Sequence, residues 1–77
     1  MPPMEDKLRE AFVAALGIAP SEVTDALVYS EHPAWDSVAH MTLIAAIEEA
    51  FGIMIDAQDV IDMSSFGVAK RIVARYL

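Results

Sequence analysis

Apolar positions along the chain fall into four stretches with helical spacing and one long break. In residues 4–16, Leu8, Phe12, Ala15 and Leu16 recur at that spacing with Ala11 beside them, which predicts a first helix. Glu5 and Arg9 form a favourable i,i+4 pair on it, Gly17 suits its C′ position, and Pro20 prevents its resumption. Residues 37–51 carry the clearest helical pattern: Leu43, Ile47 and Phe51, joined by Ala46 and Ala50, make one apolar stripe, and Gly52 offers a C-cap. Such a helix is roughly 20 Å long. Val38, Met41, Ile44 and Ala45 lie outside that stripe and cannot all enter the same core, so some must face solvent, a cavity or a partner. Residues 53–63 read as a turn and a short helix, with Asp56 as its cap and Asp59 three residues on. Ser64 or Ser65 then caps a last helix with Phe66, Ala69, Val73 and Tyr76 on one face and Lys70, Arg71 and Arg75 towards its C-terminus. Between the first two helices, residues 17–36 form a long connection in which Pro20, Ser21, Pro33 and scattered acids break any period, while Val23, Leu27, Val28 and Tyr29 can pin it to the core. No segment alternates as a strand does. The expected fold is an all-α four-helix bundle of three longer helices and one short one, with a long loop between helices 1 and 2.

Length and composition narrow the picture. A chain of 77 residues makes one domain, 1–77, and a domain of this size buries only about 60% of its unfolded surface. Hydrophobic residues are 56% of it, too many for a disordered segment. There is no cysteine, so any thiol chemistry must be imported. Net charge is −7, and its distribution says more than its sum: no Lys or Arg lies between Arg9 and Lys70, a span holding Glu10, Glu22, Asp25, Glu31, Asp36, Glu48, Glu49, Asp56, Asp59 and Asp62. A surface of that sign disfavours nucleic acid and anionic membrane and favours basic protein partners. Residues 1–6 lack the basic region and apolar run of a signal peptide, and no stretch reaches membrane-spanning length, so a cytoplasmic protein is expected. The initial Met1 and complete-looking ends fit a discrete, monomeric protein.

The candidate chemistry converges on one residue. Asp36, Ser37 and His40 resemble triad members in type only, because a triad acid must orient the imidazole from the side away from the nucleophile. His32 and His40 match no compact ligand spacing and read as surface residues; Asp56, Asp59 and Asp62 lack the order of a calcium loop. Catalytic and metal sites are therefore not expected. Ser37 itself is a good N-cap, but Asp36 is equally good. With Asp36 as the cap, Ser37 becomes the first helical residue, its hydroxyl facing outward with no internal base. Such a serine suits an acceptor modified by another enzyme.

The segment "WDSVAHMTLIAAIEEAFGI" resembles the surroundings of the prosthetic-group serine in acyl carrier and peptidyl carrier proteins. "LGIAPSEVT" is similar to the end of their first helix, and "FGIMIDAQDVIDMSSFGVAKRIV" to their third and fourth helices. The resemblance implies that Ser37, beside Asp36, receives 4′-phosphopantetheine from coenzyme A through a magnesium-dependent phosphopantetheinyl transferase. It also implies a thioester carrier serving loading, acyl-transfer and condensing enzymes of fatty acid, polyketide or nonribosomal biosynthesis, and not itself an enzyme. Val38, Met41 and Ile44 would be its apolar partner contacts, and Glu48 and Glu49 its acidic ones. Val38 stands where the family usually has leucine, and Ala39 and Thr42 where many fatty-acid carriers have acids. The rival reading is an unmodified helical interaction module using the exposed apolar face of residues 38–45.

Overall fold

A computed structural model describes residues 3–77, so Met1 and Pro2, part of the segment read above for a leader, lie outside the described residues. Four helices follow in order: α1 (Pro3–Leu16), α2 (Ser37–Phe51), α3 (Ala57–Asp62) and α4 (Phe66–Tyr76). Among the described residues there is no strand, only an isolated antiparallel bridge between Val28 and Ser65. α1 packs most extensively against α2.

The helix ends follow local chemistry. Gly17 and Gly52 take the left-handed conformation, each at φ 66°, that lets α1 and α2 stop without strain on a Cβ. Ser65 accepts a bond from the Val68 amide at 3.0 Å and caps α4. Asp56 holds the N-cap position of α3 but makes no side-chain cap bond, contrary to the sequence expectation. Its amide instead donates to Tyr76 Oη at 2.9 Å, so α4 fixes the start of α3.

The core is built from α1, α2, α4 and the long loop. Leu8, Phe12, Leu43, Ile47, Phe66, Ala69 and Val73 are buried as the spacing predicts, and Ile72 joins them. Phe12 stands between Trp35 at 5.2 Å and Phe66 at 5.1 Å, edge-on to both. Three features depart from the sequence reading. Trp35, placed in a loop, is fully enclosed. Ile44, expected to face a partner, is 5% exposed, because it shares the helical face of His40, which reaches α3. The connection 17–36 is also more ordered than a structureless loop. It contains a 3₁₀ turn, Pro20–Glu22, which the sequence reading did not foresee, and buries Val23 and Leu27 as that reading expected.

The loop is tied down by backbone bonds and ion pairs. Tyr29 N–H donates to the Ser64 carbonyl at 2.9 Å and Phe66 N–H to the Leu27 carbonyl at 3.1 Å. Arg9 Nε donates to the Val23 carbonyl at 3.2 Å, and Lys70 Nζ lies 2.8 Å from Asp25 and 3.7 Å from Glu5. Ser30 is the described non-glycine residue with positive φ, 72°, where its amide donates to the Trp35 carbonyl at 2.9 Å and closes the last turn before α2.

Candidate functional site

The start of α2 is set by Asp36. Its backbone is extended (φ −105°, ψ −173°), and its Oδ1 accepts from the Ala39 amide at 2.9 Å. The cap is therefore the aspartate, and Ser37 is the first helical residue with an exposed side chain. One free donor at the positive end of the helix is satisfied without consuming the serine.

Among the described residues, no side chain engages the Ser37 hydroxyl as a base. His40 uses both ring nitrogens elsewhere: Nδ1 accepts from Trp35 Nε1–H at 2.9 Å, and Nε2–H donates to the Val60 carbonyl at 2.8 Å. Asp36 faces a backbone amide and not an imidazole. A nucleophile with no base at hand cannot perform acyl transfer alone. His40 is also half-buried, not the surface residue that the sequence suggested, and His32 is half-buried as well.

The surroundings combine apolar exposure with acid. Val38 is 76% exposed and Met41 61%. Ile61 of α3 and Met54 of the α2–α3 turn are exposed as well, Met54 at the far end of α2 from Ser37. Glu49 is exposed, whereas Glu48 is half-buried and its Oε2 accepts from the Ile55 amide at 3.0 Å, bracing the turn into α3. Of Asp56, Asp59 and Asp62, the last two bind separate partners with their side chains. Asp59 takes Arg75 Nη2 at 2.6 Å and Tyr76 Oη–H, and Asp62 takes Gln58 at 3.1 Å. Among the described residues no group of three metal-ligating side chains gathers.

Three titrations are shifted by these contacts. The hydrogen bond to Asp59 raises the Tyr76 phenol above its ordinary range. The bond to Asp25 raises Lys70. The bond from His32, at 3.0 Å, lowers Glu22, whose other oxygen accepts from the Ala19 amide at 3.0 Å. All three fasten the frame around α2 and leave the serine itself alone.

Whether this site suits a phosphodiester-linked group can be judged from its shape and polarity. Ser37 is exposed, begins a helix whose positive end favours a phosphate, and is followed by an exposed Val38 that does not enclose it. The residues fit. No solved structure matches the chain. A family profile described as phosphopantetheine attachment site matches residues 6–68, a span that includes Ser37 and most of the bundle. The chain therefore belongs to the phosphopantetheine attachment-site family, carrier domains that bear a covalently bound 4′-phosphopantetheine group.

Proposed function

We propose that Ser37 is the attachment point and that the chain delivers acyl, aminoacyl or polyketide units between biosynthetic enzymes. The carrying observation is the division of labour at the helix start. Asp36 makes the cap bond, His40 is fully engaged, and Ser37 is left exposed with no other task. When attached, the arm supplies the thiol, and with it thioester chemistry, to a chain with no cysteine. The protein's own residues hold the hydroxyl outward and offer a docking face. A transferase supplies the base and the metal. Carrier domains of this family are in general not catalytic, and they work with such transferases and with biosynthetic enzymes.

Val38 and Met41 are the apolar docking contacts in this reading, with Glu49 as an acidic one. Ile44 drops out because it is buried, and Glu48 is already committed to the Ile55 amide. The test is incubation of the unmodified protein with coenzyme A, magnesium and a promiscuous phosphopantetheinyl transferase, followed by mass spectrometry. A gain of one phosphopantetheine group, absent in Ser37→Ala, is expected. No gain with a transferase active on a control carrier sinks the reading. The exposure of Val38 and Met41 also suits an unmodified interaction module, which would bind its partner equally well with Ser37→Ala.

A further inference from the structure

His40 stands one turn beyond Ser37 on α2, and its two hydrogen bonds define its tautomer. An indole N–H only donates and a carbonyl only accepts, so Nδ1 carries the lone pair facing Trp35 and Nε2 carries the proton facing Val60. The ring meets Trp35 edge to edge, centroids 5.9 Å apart and planes 27° apart, and lies against Tyr29 at 5.2 Å and 63°. One side chain thus joins the end of the long loop, the first turn of α2 and the body of α3.

Trp35 immediately precedes the cap. Its carbonyl is held by the Ser30 amide and its indole by His40, so the residue that leads the chain into Asp36 and Ser37 is fixed from both sides. We propose that His40 is a positioning residue for the modification of Ser37. Its Nε2-protonated tautomer fixes Trp35, and with it the direction in which the chain enters α2 and presents the hydroxyl. This rests on the reading of Ser37 as the attachment serine.

The positioning follows from donor and acceptor counting. Without an acceptor at the place of Nδ1, the buried indole N–H loses its partner. The groups facing the ring are the Trp35 indole and Tyr29 phenol ring from the loop and the Val60 carbonyl from α3. The neighbouring carboxylates have partners of their own: Asp36 on α2 is turned to the Ala39 amide, and Asp59, next to Val60 on α3, to Arg75 and Tyr76.

The experiment compares modification of the wild type, His40→Gln and His40→Phe by one transferase with coenzyme A and magnesium. Glutamine keeps one acceptor and one donor but does not titrate; phenylalanine keeps only the ring. His40→Phe is expected to lower kcat about tenfold with KM for the carrier nearly unchanged, and His40→Gln to restore most of it. Trp35 is the chain's one tryptophan, so its indole N–H gives a single resonance, which should shift in His40→Phe and return towards the wild-type position in His40→Gln. Equal kcat and KM in His40→Phe, a loss in His40→Gln as large as in His40→Phe, or an indole resonance unmoved by His40→Phe overturns the positioning role. A wild type that gains no mass overturns the Ser37 reading and this one with it.

Discussion

α2 and α3 are joined through His40 and the Val60 carbonyl yet are held in opposite ways. α2 buries Leu43, Ile44 and Ile47 and carries a side-chain cap. α3 buries none of its six residues and has no side-chain cap. It is fastened by polar contacts from outside: Tyr76 Oη to the Asp56 amide, Asp59 to Arg75 and Tyr76, and the Val60 carbonyl to His40. Apolar burial is large, non-directional and insensitive to pH. Hydrogen bonds at a surface are directional, individually small and reversible. The serine therefore begins a firmly seated helix, whereas α3 depends more on polar contacts that can open locally.

The contrast predicts a graded series. Ile47→Ala in α2 should cost about 2–5 kcal/mol and lower the urea midpoint of the whole domain, since a fully buried side chain is truncated. A change confined to one helix would contradict the seating described for α2. Asp36→Ala should cost about 1 kcal/mol through the lost cap, read by the same denaturation, and should loosen the amides of residues 37–39 first. Ser30→Gly should stabilise by about 0.5 kcal/mol, because glycine removes the left-handed penalty and returns part of the gain as unfolded-state entropy. Thermal unfolding would show it, and a loss of stability would mean that the Ser30 side chain contributes more than its backbone costs.

The smallest global effect is expected from Tyr76→Phe, and it is the sharpest test. Amide exchange should quicken in α3 while α2 stays protected; equal acceleration in both would show that α3 is not a separately fastened element. The same latch should respond to alkali. Tyr76 is raised in the folded protein by its bond to Asp59, so its contribution is complete below the ordinary tyrosine value of 10.0 and is lost as pH rises through the raised one. Lys70 acts in the same direction through Asp25. Glu22 is lowered, so its contribution is present above the ordinary carboxylate value and disappears as pH falls through the lowered one. An alkaline titration of α3 methyl resonances that is abolished by Tyr76→Phe would assign the first of these.

What was legible in the sequence was what neighbouring residues decide. The spans of α1, α2 and α4 follow from apolar period and from Gly17, Gly52 and Ser65 at their ends. The cap at Asp36 and the outward Ser37 follow from one short stretch. What was hidden depends on partners distant along the chain. The burial of Trp35 needs Phe12 and His40, and the burial of Ile44 needs α3 on that side. Asp56 makes no cap bond with its side chain while its amide is held by Tyr76, and Glu48 is withdrawn from the surface by the Ile55 amide. Local propensity carries no record of such pairings. For that reason the exposed serine was readable while the histidine one turn beyond it was taken for a surface residue.

Phe12 has a consequence for how the chain acquires its shape. Its ring is completed by Trp35 on one side and Phe66 on the other, residues drawn from the loop and from the last helix. No pair of helices encloses it alone. An isolated α1–α2 hairpin would leave one edge of that ring in water, so early helical pairs gain little until α4 arrives. Folding should then proceed as one cooperative step with single-exponential kinetics, and a nascent chain should expose no lasting half-assembled carrier for a modifying enzyme to meet.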